Sequence, residues 1–176
     1  EVRNSDDNTV ANNTVTASDD DGIQLGNSDD NTVTDNTANN NGGEGIYVLN
    51  SDDNNVTSNN ANENTENGIR LSQGSDNNVL TDNTASDNGN DGILATVSNG
   101  NDLISNTLSS NDDDGINIVA AEGTNLTDNT AVSNSDDGII LASSSANNLT
   151  DNEASLNSNE GIELTAATSN DEGFGL

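Results

Sequence analysis

The sequence contains no cysteine, proline, histidine, lysine, methionine or tryptophan. Without cysteine there is neither a disulfide framework nor a thiolate metal site. Without histidine or methionine as well, the soft and imidazole donors that favour copper are missing. Aromatic side chains are limited to Tyr47 and Phe174, too few for an extended stacking platform for sugars. The only cations are Arg3 and Arg70, against 32 acidic residues and a formal net charge of −30. Such a chain cannot neutralise a phosphate backbone, which excludes direct nucleic-acid binding. Anionic membranes are disfavoured for the same reason, and no apolar run is long enough to insert in one. No basic segment followed by an apolar stretch opens the sequence.

Hydrophobic residues make up only 28% of the 176 positions. Taken alone, that value and the acid excess point to disorder. The placement of the apolar residues argues otherwise. Gly-Ile recurs at Gly22-Ile23, Gly45-Ile46, Gly68-Ile69, Gly92-Ile93, Gly115-Ile116, Gly138-Ile139 and Gly161-Ile162, in steps of 23 residues with one step of 24. Further apolar columns keep the same phase: Leu25 to Leu164, Val10 to Leu149, and Val15 to Ala154. The single extra residue falls in Gln73-Gly74-Ser75-Asp76, whose composition is that of a loop. Asparagine is equally periodic, at Asn13, Asn36, Asn59, Asn83, Asn106, Asn129 and Asn152 without exception. Disorder gives no reason to hold Asn in phase with Ile and Val. A fixed period of this length is the mark of a solenoid.

Within each repeat Ile and the next apolar residue alternate with a polar one, the period of a strand. Gly, Asn and Asp then break the chain before the next short strand. The expected coil has three short strands and three corners, each strand pairing with its counterpart about 4.8 Å away in the next coil. Stacked Asn side chains supply donors and acceptors along the axis. The Gly before each Ile is expected to provide a positive-φ corner.

The units GIQLGNSDDNTVTDNTANN, GIYVLNSDDNNVTSNNANEN and GIILASSSANNLTDNEASLN resemble the repeats of the NosD-type and pectate-lyase-like superfamily. The resemblance covers nearly the whole chain. It implies an all-β fold, a single-stranded right-handed parallel β-helix, with the hand taken from the resemblance alone. It leaves function open, because that superfamily holds lyases, hydrolases, epimerases, adhesins and surface proteins. Enzymes on this scaffold use Asp with His, Arg or Lys, and this chain has neither His nor Lys. An enzyme is therefore not expected.

The acidic columns are the remaining candidates. Charges one coil apart repel by about 0.9 kcal/mol even in water. Calcium held by oxygen ligands, or high salt, would relieve that repulsion. The candidate calcium ligands are Asp21, Asp29, Asp30, Asp52, Asp53, Asp114 and Asp137, with no other cofactor required. Sequons stand at Asn12, Asn55, Asn125 and Asn148. Residues 1–164 are expected to form the solenoid and 165–176 an irregular segment. Val2, Phe174 and Leu176 are the candidate junction residues of a head-to-tail homopolymer. The resulting expectation is a non-enzymatic, secreted or cell-surface structural protein of a salt-loving, archaeal type. Its partners would be its own copies, with divalent cations or surface glycans. The alternatives are a monomeric carbohydrate-binding or adhesive module, and a degenerate polysaccharide lyase or hydrolase.

Overall fold

A computed structural model describes residues 1–173. Phe174 and Leu176, two of the junction candidates, lie outside the described residues. The chain is all-β, a right-handed parallel β-helix of about seven coils. The first sheet stacks eight parallel strands, among them Ile23–Gly26, Ile46–Leu49, Ile69–Ser72, Ile93–Thr96, Ile116–Val119, Ile139–Ala142 and Ile162–Thr165. The second sheet stacks another eight, from Thr9–Ala11 to Asp171–Gly173. The third face is discontinuous. It has strands at Thr14–Thr16 and Thr37–Asn39 and again from Thr107–Ser109 to Glu153–Ser155, linked by single bridges through Asn60 and Thr84.

Register follows the sequence period. Leu25 pairs with Val48, Val48 with Leu71 and Leu71 with Ala95, so the apolar columns become continuous stacks. Leu25, Val33, Ala38, Ile46 and their counterparts through Leu141 are buried and form the core. The extra residue is absorbed at Gln73 and Gly74, with φ of 58° and 79°, and pairing resumes in phase at Val79 with Asn55. Residues 165–173, expected to be irregular, continue the coil instead. Thr168 bridges Ser145, and Asp171–Gly173 pairs with Asn148–Thr150. Val2 is half-buried in an ordinary strand paired with Leu25.

The Asn column forms an unbroken amide ladder. Each Nδ2 donates to the Oδ1 one coil on, from Asn13 to Asn36 at 3.0 Å through to Asn129 to Asn152 at 2.9 Å. Each interior Oδ1 also accepts a backbone N–H, as Asn83 does from Asn59. Each Nδ2 from Asn36 on donates as well to a core-strand carbonyl of the preceding coil, as Asn83 does to Val56 at 2.8 Å. One side chain thus joins three coils. The amide satisfies backbone groups at a corner where no strand pairing reaches them.

The conserved phase of Gly before Ile has a different cause from the one expected. None of these seven glycines has a positive φ. The corners are made instead by Asn, Asp and Ser, for example Asn27 at 49°, Asp30 at 57°, Asp35 at 55° and Asn40 at 57°. Asn and Asp tolerate this conformation better than other side chains. Gly is required for space. A Cβ at Gly115 would lie 2.5 Å from the Gly138 carbonyl oxygen and 2.7 Å from the Ala131 Cβ.

Candidate functional site

The alternation that buries Ile and Leu on the first sheet turns the residue between them outward. That outward row reads Gln24, Tyr47, Arg70, Leu94, Asn117, Ile140 and Glu163 along the axis. Beside it runs the column that precedes the glycines: Asp21, Glu44, Asn67, Asp91, Asp114, Asp137 and Glu160. The column is a ladder of its own. One oxygen of each side chain from Asp21 to Asp137 accepts the backbone N–H of the next coil, as Asp114 does from Asp137 at 2.8 Å and Asp137 from Glu160 at 2.8 Å. Row and column touch, since Gln24 donates to Asp21 at 3.3 Å and Asn117 to Asp114 at 3.0 Å. Together they form one polar seam along the rod.

Both halves of the described chain's only aromatic–cation pair sit in this seam. The Arg70 guanidinium lies 5.3 Å from the centre of the Tyr47 ring and donates to Glu44 at 3.0 Å. Glu44 is 2% exposed and also accepts from the Asn67 side chain. Burial pushes its carboxyl above the usual range, with Arg70 and Asn67 opposing. The Tyr47 hydroxyl is 2.9 Å from the Ser72 hydroxyl. Arg70 keeps about a third of its surface exposed, so the planar pair faces outward.

Further along, carboxyls are pushed into the neutral range. Asp91 and Asp114 are both raised to about 7, chiefly by burial, with the charges of Asp114 and Asp113 adding to the rise at Asp91 and those of Asp113, Asp137 and Asp136 at Asp114. Asp137 is raised to about 6, again chiefly by burial. Groups poised near neutrality can give or take a proton at little cost. Glu163 is held below its usual range by hydrogen bonds from Thr165 and Asp137.

The sequence candidates for calcium separate into two groups. Asp114 and Asp137 each join a carboxylate trio, Asp91–Asp113–Asp114 and Asp137–Glu160–Glu163, with oxygens within 4.8 Å of one another. Asp29 and Asp52 belong to neither. Their carboxylates accept the backbone N–H of the next coil, from Asp52 to Asp29 and from Asp76 to Asp52, each at 2.8 Å. Asp30 and Asp53 are exposed corner residues, and Asp21 accepts from the Glu44 N–H at 2.9 Å. Much of the apparent charge problem is thus met by charge-assisted hydrogen bonds to backbone donors. Among the sequons, Asn12, Asn55 and Asn125 are exposed and Asn148 is half-buried. Asn125 donates to Asp102 at 2.7 Å.

Sequence reasoning missed the outward row as a site. Its alternation was legible, but Arg70 meets Glu44 from 26 residues away, and only the register brings the two together. Asp113 and Glu163 were missed for the same reason.

The family model of NosD, the periplasmic copper-binding protein, matches residues 1–112 and 98–172. The chain belongs to this family. No curated protein matches it by sequence. Among solved structures, a variant of the periplasmic alginate epimerase AlgG superposes with a TM-score of 0.88 at 21% identity, over 96% of this chain and 45% of that one. The A-module of the Azotobacter vinelandii mannuronan C-5 epimerase AlgE4 gives 0.73 at 18%, over 93% of this chain and 53% of that one. The AlgE6 A-module of the same organism gives 0.73 at 16%, over 93% and 57%. The chain thus spans about half the length of these relatives. At these identities the likeness is one of fold. NosD and AlgG are both described as periplasmic, so these relatives sit outside the cytoplasm.

These comparisons correct the expectation of a non-enzyme. The same solenoid serves as an enzyme scaffold in alginate and mannuronan epimerases. The inference from missing His and Lys was too narrow, because tyrosine and carboxyls of raised pKa also carry acid–base chemistry. Copper does not fit. The side-chain donors of the seam are carboxylate, amide and phenol oxygens, which suit hard cations rather than copper.

Proposed function

We propose that this protein binds an acidic, uronate-type polysaccharide outside the cytoplasm, with the polymer lying along the outward row of the first sheet, and exchanges a proton on it. The observation that carries the proposal is the Tyr47–Arg70 pair set in a seam with carboxyls at about 7. Arg70 supplies a planar donor fork for a sugar carboxylate, and the Tyr47 ring supplies a face for the sugar. Asp91 and Asp114 supply groups that both donate and accept protons near neutral pH. The fold shared with alginate and mannuronan epimerases favours a uronate polymer over a neutral one. A secreted or cell-surface location follows from such a substrate. It replaces the head-to-tail filament, whose anchors Phe174 and Leu176 lie outside the described residues.

The protein's charge of −30 opposes a polyanion. Binding is therefore expected to strengthen with salt, since screening shortens the Debye length to about 3 Å at 1 M. Calorimetry with mannuronate and guluronate oligomers, at low and molar salt and with or without calcium, measures the binding. Proton NMR of the same oligomers in heavy water follows loss of the C-5 proton signal. Binding with exchange is the expected result. Absence of both at every salt concentration contradicts the proposal, and binding without exchange reduces it to recognition alone.

A further inference from the structure

At the corner between the first and second sheets, two ladders line the interior. The first is the column Asn8, Asn31, Asn54, Asn78 and Asn101, each amide donating to the next at 3.1 to 3.2 Å. The second is a serine column in which the hydroxyls of Ser28, Ser51 and Ser75 each accept the backbone N–H one coil back. The serine bonds stop at Ser75, and the residue types of both columns change in one coil, the one opened by Gly115. Thr124 stands where the Asn belongs and Ala121 where the Ser belongs, and both are fully buried.

Buried polar atoms without partners gather around the interruption: Asn101 Nδ2, whose acceptor it removes, Thr124 Oγ1, and in the following coil Ser144 Oγ and Asn147 Nδ2, all on side chains 98–100% buried. The side-chain relay does not resume beyond them, since Asn170 Nδ2 at the same phase is unpaired as well. The Thr124 backbone N–H still donates to Asn147 Oδ1 at 2.8 Å, so the coil keeps its register while its side-chain relay is cut. An unpaired buried polar atom costs free energy comparable to a lost hydrogen bond, and buried waters characteristically meet two to four such groups.

We infer that this corner holds an internal water site between the coils carrying Asn101, Thr124 and Asn147, built by the paired substitutions Thr124 and Ala121. Water matches the chemistry. Amide groups need an acceptor, and the hydroxyls can take or give a proton, so a molecule that does both completes the set. An anion would accept from the same donors. However, the corner has no cation to offset its desolvation, and the whole chain carries −30. Thr124 is the residue that makes room. Its side chain is shorter than the Asn found at this phase in the coils before and after it.

The test uses the full chain in solution. Water-to-protein rotating-frame NOE spectra are recorded on the Asn101 side-chain NH₂ of the wild type, Thr124→Asn and Thr124→Val, together with thermal melts. A cross-peak to long-lived water in the wild type is expected. Thr124→Asn should lose that cross-peak and melt higher, because the amide relay is restored. Thr124→Val keeps the shape and removes the hydroxyl that holds the water, so it should melt lower. No cross-peak in the wild type overturns the inference, and so does a Thr124→Val variant that melts at or above it. Movement of the Asn101 side-chain resonances when sulfate replaces chloride at equal ionic strength would assign the site to an anion instead.

Discussion

At the level of single residues, six of the seven glycines before Ile, Gly22 to Gly138, are there for space, a Cβ meeting the next coil at 2.5 to 2.7 Å. Replacing Gly115 with Val drives new atoms into the Gly138 carbonyl and the Ala131 side chain. Overpacking of this kind costs typically about 1–3 kcal/mol, and a fixed carbonyl permits little relaxation, so the upper end is expected. Gly26 is the control, since a Cβ there meets nothing within 4 Å and its φ is not positive. Gly26→Ala should leave the denaturant midpoint unchanged where Gly115→Val lowers it. The glycine column was plain in the sequence, but its cause was not. A repeat period fixes phase, whereas the choice between backbone conformation and lack of room depends on how closely the next coil approaches.

Asp91 and Asp114 give stability a pH dependence with a definite sign. Their folded pKa values of about 7 lie above the ordinary 3.8, so the folded chain binds more protons than the unfolded one between those values. Their contribution is complete below pH 3.8 and is lost as pH rises through 7. The melting temperature should therefore fall between pH 5 and pH 8. Asp91→Asn with Asp114→Asn should flatten that profile, because the column already accepts an amide at Asn67. A wild-type profile that rises with pH would show that these carboxyls are ionised without penalty.

At the level of elements, corners matter as much as strands. Asn83 is 1% exposed and its Oδ1 takes both the backbone and side-chain N–H of Asn59. Asn83→Ala leaves those donors buried and unpaired, at about 1–3 kcal/mol each. A loss of about 2–4 kcal/mol is expected in urea unfolding, against a small one for the exposed Asn13→Ala. Coil length, strand alternation and the Asn phase were all legible from the chain. The discontinuity of the third face was not, because Asn60 and Thr84 sit at the same phase as residues that do form strands. Nor was the continuation of the coil to residue 173, since the Gly-apolar-x-Leu pattern at Gly173 is out of step with the repeat.

For the molecule as a whole, 32 acidic residues on a narrow rod set the response to salt. Backbone donors meet many of the carboxylates, but repulsion between neighbouring coils remains. Raising salt from about 0.01 M to 1 M shortens the Debye length about tenfold, and the melting temperature should climb across that range. The class of the molecule was legible in its period. The seam was not, because composition counts two arginines and one tyrosine as scarcity, whereas register sets Arg70, Tyr47 and Glu44 in one place.

The most direct measurement of the central claim is the affinity of a uronate oligomer for three proteins in molar salt: the wild type, Tyr47→Ala and Thr81→Ala. Tyr47 lies in the outward row of the first sheet, and Thr81 is the control in the second sheet. Loss of at least about tenfold, or about 1.4 kcal/mol, for Tyr47→Ala alone is the predicted result. Equal affinities for all three, or equal loss in both variants, would contradict it.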